Sequence, residues 1–519
     1  MKLAKSSMIS EIDRFAKEVL GIPTRDLIAR SGEAVARAVR ELTPALGKVI
    51  IFIGKGNNGA DGLAAACVLS SEFSVIVFDV FGEGQRGEDG KYFLDRFVEN
   101  GGDFRTLSLT EDVINEIKSS STVVDAVFGT GFRGDIPDIA RRLSIVVSET
   151  VGVNKIAIDV PLGVNADDGS VDLCAAVANA TVELSFVKPG IVSYPARAFV
   201  GRIIHDDLNL PYEKLTEHFD FRYNYVDEAE ATALLPEREE NSSKGSFGKL
   251  LLITGSARYR GAAALSLEAA LRGGAGYVTY LGEESLCNSL STRFPEAIYK
   301  VKKPAGTLSA EDIEDIKALS EKSDVTLIGS GSENTEELAS ITKALLSLES
   351  GTLVLDADAI NALSEDKDEG LLAIKNSKRR VVLTPHPLEF ARISGMDVAT
   401  VQRNRMSAAV KFAAENRCIL VLKGAGTIVT DGSEVYINSS GSSALAKAGS
   451  GDVLAGLLAS LTASVRDPLK AAVLAVYFHG AAADRARDKL SSYGVTPSDL
   501  PVVVASVISE CEKKKRAEL

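Results

Sequence analysis

Short, almost wholly apolar runs recur along this chain, and stretches with helical patterning separate them. In the first half they are KVIIFIG, FSVIVFDV, STVVDAVFG and NKIAIDVP, at 48–54, 73–80, 121–129 and 154–161. In the second half they lie at 249–255, 276–282, 324–331, 351–358, 380–386 and 418–426. Strands that are apolar on both faces and alternate with helices are typical of a parallel sheet covered by helices on both sides. The pattern therefore predicts an α/β fold in both halves, with the first half doubly wound.

One segment, from about 208 to 227, interrupts this alternation. It contains Pro211 and then a charged and aromatic stretch, YEKLTEHFDFRYNYVD. The chain has 519 residues, which is long enough for more than one domain. We expect a Rossmann-like domain at 1–211, a linker at 212–226 and a larger α/β domain at 227–519.

The charge and the cysteines narrow the class of protein. A net charge of −13 argues against a surface for nucleic acid or anionic membrane. The five cysteines are scattered without metal-binding spacing, mostly in apolar runs, as expected for buried thiols in a reducing cytosol. The start lacks a secretory pattern, and no run of ~18 apolar residues suggests a membrane span. We expect a cytoplasmic homo-oligomer that acts on a small molecule, with neither nucleic acid nor membrane as a partner.

The segment GSGDVLAG, at 449–456, predicts an anion-binding turn at the start of an apolar helix. Free N–H groups and partial positive charge at a helix N-terminus favour an anion, so residues 449–451 are suited to wrap a phosphate. A carboxylate beside that anion would repel it, so Asp452 makes sense as a base toward a hydroxyl that receives a phosphoryl group. The alternative is that Asp452 only caps the helix.

A glycine-rich turn, GKGNNGADG, follows the run at 48–54. Its glycines fit GxGxxG and Asp79 ends the next strand, which together form a dinucleotide fingerprint. However, Asn57, Asn58 and Asp61 crowd the turn with polar side chains that suit substrate hydrogen bonds or a cation. An NAD-dependent dehydrogenase is disfavoured, since no catalytic Tyr/Lys or His/Asp set accompanies the fingerprint.

Three polar residues follow strands of the first domain: Asn58, Asp125 and Asp159. Each of them alone would be explained as a turn cap. Because the carboxyl ends of parallel strands meet in one crevice, the three together predict a site.

The segments NNGAD, VDAVFGTG and DVPLG, in this order, resemble the NAD(P)H-hydrate epimerase family over about residues 1–211. The resemblance implies that Asp159 lies at the reacting centre and that Asn58 and Asp125 bind potassium. Leu162 stands where the family has a potassium-binding serine, so it offers only its backbone carbonyl and weakens the case for potassium. The implied substrate contacts are Asn57, Asn58, Gly59, Ala60, Asp61, Gly129, Thr130, Gly131, Phe132, Arg133, Gly134, Asp135 and Asp159.

The second domain carries three further segments of interest. A small-residue helix, at 260–278, ends in glycines that allow a ligand or neighbouring element to approach closely. TPHPLEF holds His386 between two prolines, which suits either a positioned ring or a packed turn. LVLKGAGTIVTDG places Lys423 and a glycine turn after a strand, which suits a nucleotide or a simple hairpin.

Together with DADAIN at 356–361 and the glycine turn at 449–451, these segments resemble the ribokinase-like superfamily. Within it they resemble the ADP- or ATP-dependent NAD(P)H-hydrate dehydratases, over about residues 226–505. One departure is GSGSE at 329–333, where the family has GPGLG. The resemblance implies contacts to the hydrated nicotinamide nucleotide from Ala262, Gly331, His386 and Asp452. It implies contacts to the adenine nucleotide from Lys423, Gly424, Ala425, Gly426, Thr427 and Gly451.

An epimerase followed by a dehydratase is the arrangement of the bifunctional NAD(P)H-hydrate repair enzymes. The resemblance implies a substrate in which water has added across the 5,6 double bond of the nicotinamide ring. The C6 hydroxyl would be phosphorylated by ADP or ATP with Mg²⁺, and phosphate would then leave. Two alternatives remain: a small-molecule kinase of the same superfamily, and a first domain that binds nucleotide without catalysis.

Overall fold

The computed structural model describes residues 1–82, 86–132, 134–303 and 310–518. The chain divides into two compact units, Lys2–Tyr223 and Asn224–Leu519, with Met1 counted in the second. Both units alternate strands with helices, so the predicted α/β fold is confirmed in each.

The N-terminal unit is built around a parallel sheet. The strands in this unit are β1 Lys2–Leu3, which is not part of that sheet, β2 Lys48–Ile53, β3 Ser74–Asp79, β4 Asp103–Thr106, β5 Thr122–Ala126, β6 Asn154–Ile158, β7 Ala180–Leu184 and β8 Arg202–Asp206. Its helices are α1 Ser6–Glu18, α2 Thr24–Leu42, α3 Asn57–Leu69, α4 Glu88–Glu99, α5 Glu111–Lys118, α6 Asp138–Glu149, α7 Pro189–Val192 and α8 Tyr212–His218. The sheet runs β4-β3-β2-β5-β6-β7-β8 with every adjacent pair parallel.

This order gives the N-terminal sheet a doubly wound topology. The chain proceeds outward from β2 through β3 to β4 on one side, and from β5 to β8 on the other. The switch point therefore lies between β2 and β5, where ligands bind in open α/β sheets. Along β2, Val49, Ile51 and Ile53 belong to one apolar cluster, while Ile50 and Phe52 belong to another. Because successive side chains point to opposite faces, this explains why the predicted strand is apolar throughout.

The stretch 212–226, which the sequence analysis assigns to a linker, has ordered secondary structure. It contains α8 and all of strand β9, at Tyr223–Val226. Leu215 and Phe221 are buried in an apolar cluster of the N-terminal unit. The division between the units therefore falls near the end of this stretch rather than at its start.

The C-terminal unit has a larger, mixed sheet. After β9 its strands are β10 Lys249–Ile253, β11 Tyr277–Gly282, β12 Ile298–Val301, β13 Val325–Ile328, β14 Thr352–Leu355, β15 Arg380–Leu383, β16 Ile419–Leu422, β17 Ile428–Thr430 and β18 Val435–Asn438. Within this unit the order is β9-β18-β17-β16-β15-β14-β13-β10-β11-β12. Pairs from β10 to β16 are parallel, and β16, β17 and β18 pair antiparallel. The switch point lies between β10 and β13.

Helices cover this second sheet. They are α9 Glu228–Leu234, α10 Arg260–Arg272, α11 Glu284–Arg293, α12 Ala310–Glu321, α13 Glu336–Leu346, α14 Asp358–Glu365, α15 Lys367–Asn376, α16 Pro387–Ser394, α17 Val398–Arg403, α18 Arg405–Asn416, α19 Ser450–Val465, α20 Pro468–Gly494 and α21 Leu500–Glu518. The small residues of α10 admit α19 closely: a Cβ on Gly456 would lie 2.1 Å from the carbonyl oxygen of Ser266. This contact positions the start of α19, where Asp452 lies.

Two further expectations concern thiols and membranes. All five cysteines are free, and all are buried except Cys67, which is partly buried. Across the described ranges, no helix combines the length and apolar character that crossing a bilayer requires.

Candidate active sites

The N-terminal unit has a cavity of about 520 Å³ at the carboxyl ends of its strands. Helices α1 and α2, the turn after β2, the loop after β5 and the residue after β6 all contribute to its wall. The cavity therefore lies at the switch point that the strand order identifies. Several predicted site residues line it together: Asn57, Asn58, Asp61, Gly129, Thr130, Gly131, Phe132 and Asp159.

Other predicted residues of this unit are placed differently. Gly59 and Ala60 lie within α3, Gly134 and Asp135 precede α6, and none of these four lines the described cavity wall. Arg133 lies outside the described residues.

Asp159 is held in one orientation at the end of β6. Its backbone adopts a left-handed φ of 66°, which is unusual for a residue other than glycine and is found mainly where surrounding contacts enforce it. Its Oδ2 accepts a hydrogen bond from the Thr130 N–H at 2.9 Å, and its Oδ1 accepts one from Lys188 Nζ. A Cβ on Gly129 would approach Oδ2 to 2.9 Å, so a residue without a side chain is needed there.

Lys188 was not singled out from the sequence, yet it is fully buried beside Asp159. Its Nζ also donates to the Leu184 carbonyl at 3.1 Å and lies 3.4 Å from Glu183 Oε2. Burial acts to lower the pKa of Lys188, but the charges of Asp159 and Glu183 outweigh it and raise the pKa. For the Glu183 carboxyl, burial has the opposite effect and raises the pKa to about 8. The lone lysine inside the apolar stretch VELSFVKPGIV was the signal that could have identified it.

Asn58 and Asp125 present oxygen atoms that lack a cationic partner. Asn58 Nδ2 donates to the Phe128 carbonyl at 2.8 Å, while its buried Oδ1 has no hydrogen-bond donor among the described residues. The carboxylate of Asp125 accepts from the backbone N–H of Val127 at 3.1 Å and of Leu162 at 2.7 Å. Loss of solvent raises the pKa of Asp125 to about 6. The unbonded oxygen of Asn58 and the carboxylate of Asp125, which only backbone N–H groups contact in the described part of the chain, are the kind of ligand that fits a monovalent or other hard cation.

Leu162 reaches this region only through its backbone. Its side chain is 4% exposed and packs in an apolar cluster with Phe52 and Ile76. The hydroxyl that the family's serine would supply is therefore replaced by core packing.

Asp79, the acidic residue of the dinucleotide fingerprint, is engaged by protein groups. It forms an ion pair with Arg86 and accepts a hydrogen bond from the Phe81 N–H at 3.1 Å. Arg86 also donates to the carbonyl of Gly54 at 2.8 Å. The carboxylate that would bind a ribose in a dehydrogenase is thus already paired with Arg86. This agrees with the sequence argument against an NAD-dependent dehydrogenase.

In the C-terminal unit, Asp452 lies in the first turn of α19. Gly449 is the N-cap, with a left-handed φ of 99°, so Asp452 is not the helix cap that the alternative interpretation requires. Burial, together with the charges of Asp356 and Asp358, raises the pKa of Asp452 to about 7, and Lys423 opposes the rise. A carboxylate with this pKa exchanges protons near neutrality, as a general base requires.

Lys423 lies beside the same glycine turn. Its Nζ is 3.1 Å from Asp356 Oδ1 and 3.9 Å from Glu389 Oε2, and a Cβ on Gly451 would lie 3.5 Å from it. Asp356 is fixed in turn, because it accepts hydrogen bonds of 2.7 Å from the hydroxyls of Ser330 and Thr384. The structure therefore brings the predicted residues Lys423, Gly451 and Asp452 together.

Residues 423–427 form the turn between β16 and β17, so the hairpin that the sequence left open is present. Thr427 Oγ1 donates to the Gly424 carbonyl at 2.8 Å, while Gly424 and Ala425 are exposed. Arg405, which the sequence analysis missed, donates to the carbonyls of Leu422 and Lys423 at 3.1 and 3.2 Å. It holds the base of the turn and leaves the tip, including Gly426, open to a ligand.

His386 has a capping role in the structure. It is the N-cap of α16, and its Nδ1 accepts hydrogen bonds from the N–H groups of Leu388 and Glu389 at 3.1 and 3.2 Å. Burial and the nearby charge of Lys423 lower its pKa, so the ring is neutral at pH 7. The ring is 46% exposed, which leaves it accessible to a ligand.

Ala262 and Gly331 are neighbours. Gly331 has a φ of 63°, and a Cβ there would lie 2.6 Å from the Cβ of Ala262. In the GSGSE loop, Ser330 bonds Asp356, and the N–H of Glu333 donates to Asp358 at 2.9 Å. The serine that departs from the family's loop thus supplies a contact to the DADAIN segment that a proline could not, whereas the Glu333 contact uses only the backbone.

His479 of α20 is a further residue that the sequence analysis missed. It is 6% exposed, it hydrogen-bonds the backbone of Ser450, and its Nε2 has no partner in the described part of the chain. Burial lowers its pKa to about 4. A neutral histidine therefore supports the turn that precedes Asp452 from behind.

Comparison with known proteins matches both units. Residues 24–190 match the family described as YjeF-related protein N-terminus, and residues 250–504 match the NAD(P)H-hydrate dehydratase family. The bifunctional NAD(P)H-hydrate repair enzyme of Moorella thermoacetica is 32% identical over 99% of this chain and 98% of its own length. That of Thermofilum pendens is 32% identical over 96% of this chain and 94% of its own.

One solved structure agrees with the expected class of the second unit. A ribokinase-like superfamily protein from Enterococcus faecalis V583 is 25% identical, with a TM-score of 0.50. It covers 56% of this chain and 98% of that one. The expected ribokinase-like fold of the C-terminal unit is confirmed.

Proposed function

The chain belongs to the family of bifunctional NAD(P)H-hydrate repair enzymes, and from this premise we propose that its two units act in sequence on hydrated NADH and NADPH. The N-terminal unit interconverts the R and S epimers at C6. The C-terminal unit dehydrates the S epimer with ADP or ATP as phosphoryl donor, which gives AMP or ADP and phosphate. The observation that carries this proposal is the placement of Asp452 and Lys423 at one anion-binding glycine turn.

Dehydration begins at the C6 hydroxyl, which is a poor leaving group until it is phosphorylated. Asp452 takes the proton of that hydroxyl as its oxygen attacks the terminal phosphorus of the donor. The N–H groups of Gly449 and Gly451 and the ammonium of Lys423 stabilise the charge on the transferred group, while the Ser450 N–H donates to the Lys447 carbonyl at 3.2 Å. Phosphate then leaves as the lone pair of the ring nitrogen assists, and loss of the C5 proton restores the double bond.

The exposed tip of the turn 423–427 is the proposed site of the adenine nucleotide, with Gly451 on the phosphate side. Ala262, Gly331 and His386 are proposed to contact the hydrated nicotinamide nucleotide. The described residues hold no cluster of three or more His, Cys, Asp or Glu arranged for a metal. We therefore propose that Mg²⁺ arrives on the donor phosphates, whose charge it neutralises.

The N-terminal unit is proposed to act through Asp159 in its cavity. Lys188 holds this carboxylate in position, and Asn57, Asp61 and the loop at 129–132 supply the surrounding contacts. A carboxylate at this position serves as a base toward the water that exchanges at C6.

Potassium fits the oxygen atoms that lack a cation. The side-chain oxygen of Asn58, the carboxylate of Asp125 and the backbone carbonyl of Leu162 would hold it. Its positive charge would fix the phosphate or ribose of the substrate. Because Leu162 contributes no hydroxyl, we propose weak potassium binding.

The purified chain, S-NADHX and ADP together test the dehydratase proposal. We expect NADH, AMP and inorganic phosphate in equal amounts, measured by absorbance and chromatography. A small-molecule kinase would instead leave a stable phosphorylated product and release no phosphate, which would refute the proposal. The variant Asp452→Asn lacks the proposed base and should not form these products. Its matched control is Asp488→Asn, at a side chain that is 71% exposed.

A further inference from the structure

The cavity of the N-terminal unit contains a carboxylate, Asp13, that the proposed mechanism does not yet use. It extends from α1 into the space that Asp61 and Asp159 also line. Within the described ranges Asp13 forms neither a hydrogen bond nor an ion pair, and its side chain remains accessible to solvent where it lines the cavity. It is therefore free to contact a ligand that fills the space.

Asp159 has no oxygen that is free of a hydrogen bond. Both of its oxygens accept hydrogen bonds, one from the Thr130 N–H and one from the buried ammonium of Lys188. The ion pair with Lys188 holds the Asp159 carboxylate in one position. Epimerisation at C6 nevertheless requires an acid, because hydroxide must be protonated in order to leave.

Asp61 is a less accessible acid. Burial and the charge of Asp159 raise its pKa well above the usual range, but its side chain is buried in the first turn of α3, beside the Ser31 side chain. Among the described residues that line the cavity, three carry carboxylates, and Asp13 is the most exposed of them and forms no hydrogen bond.

We propose that Asp13 is a catalytic acid of the N-terminal site and acts as the partner of Asp159. This inference rests on the proposed epimerase function. The Asp13 carboxyl gives its proton to the C6 hydroxyl, and the C6–O bond breaks with its electron pair leaving as water. The lone pair of N1 forms the N1=C6 bond at the same time. Water then adds to the opposite face of C6, the N1=C6 pair returns to N1, and the added water loses its proton to Asp159. In the reverse direction the two carboxylates exchange roles.

The electrostatic surroundings agree with these roles. The groups that face Asp13 are Asp159, Asp61 and the ammonium of Lys188. Burial by the cavity wall, with the charge of Asp159, raises the pKa of Asp13 to about 6, and Lys188 opposes the rise.

The test follows conversion of purified R-NADHX to the S epimer by the full chain without ADP or ATP, so that dehydration does not consume the product. Asp13→Asn is expected to slow epimerisation by ~10²-fold or more, the usual effect of losing an acid or base. It should also abolish the fall in rate at high pH, where wild-type Asp13 loses its proton. Glu11→Gln, an exposed carboxylate of the same helix outside the cavity wall, is the matched control and should keep the wild-type rate.

Asp13→Glu separates an acid from a structural role. If Asp13 is the acid, the glutamate variant recovers part of the rate and keeps the fall at high pH. Equal losses in both variants with an unchanged pH profile would overturn the inference, as would an Asp13→Asn rate within a few-fold of wild type. Reaction in ¹⁸O-water should place solvent oxygen at C6, and a product that keeps its original oxygen would overturn the route. A wild-type chain that does not epimerise at all would refute the proposed function itself.

Discussion

The ammonium of Lys423 lies 3.1 Å from Asp356 Oδ1 and next to the glycine turn that begins the helix of Asp452. It therefore contributes to two tasks. It adds positive charge where a phosphate would bind, and it lowers the pKa of Asp452 against the rise that burial causes. Asp356, fixed by two hydroxyl donors, holds the cation in this position.

Replacing Asp452 by asparagine should remove dehydration and leave the fold intact. Loss of a general base reduces the rate by ~10²–10⁴-fold. The wild-type carboxylate must be ionised to act, and its pKa is raised to about 7. The kcat/KM for S-NADHX should therefore rise with pH through about 7 and then level off. Near-wild-type turnover in Asp452→Asn, with Asp488→Asn as control, would show that Asp452 is not the base.

Lys423→Ala should raise the KM for ADP or ATP more than the KM for NADHX, because the ammonium lies at the proposed phosphate position. Its removal also takes away the charge that lowers the pKa of Asp452, so the midpoint of the pH profile should move upward. Lys411→Ala removes a lysine that is 75% exposed and serves as control. A larger effect on the KM for NADHX, or a midpoint that moves downward, would contradict the assignment.

Leu162→Ser should strengthen the response to potassium while it weakens the core. Leu162 is buried in an apolar cluster, and shortening a buried leucine typically costs about 2–5 kcal/mol. We expect a lower Tm for the variant, and a larger rise in its Tm on adding KCl than wild type shows. Equal concentrations of NaCl control for ionic strength. A wild-type chain that responds to potassium as strongly as the variant would contradict the role given to Leu162.

Glu183 should make the N-terminal unit less stable at high pH. Burial raises its folded-state pKa to about 8, above the value in the unfolded chain. The protonated folded form is therefore favoured at low pH, and stability is lost as pH rises through about 8. Hydrogen exchange at β7, corrected for the intrinsic rate, should accelerate over this range in wild type but not in Glu183→Gln. The control variant Glu149→Gln, at an exposed side chain of α6, should behave as wild type. If this variant also lost the pH-dependent acceleration of exchange at β7, the assignment to Glu183 would be contradicted.

The sequence predicts the strands well and their ends less well. The run at 121–129 is predicted as one strand, but β5 ends at Ala126, because Asp125 binds the N–H groups of Val127 and Leu162 and turns the chain into the site loop. Asn58, Asp125 and Asp159 could be identified because motifs mark the carboxyl ends of strands. The contacts of Lys188 could not, since they depend on β6 and β7 being neighbours. Asp13 lies on a helix before the first motif, and nothing local indicates that it reaches the cavity.

The most direct test of the whole account gives the purified chain a mixture of both NADHX epimers with ADP and follows the absorbance of reformed NADH. If the two units act as proposed, wild type converts the whole mixture faster than the epimers interconvert spontaneously. The variant Asp159→Asn should convert the S epimer as wild type does, but the R epimer only as fast as it interconverts spontaneously. The variant Asp452→Asn should reform no NADH. A wild-type reaction that stops at the S portion, or that forms no NADH, would contradict the account.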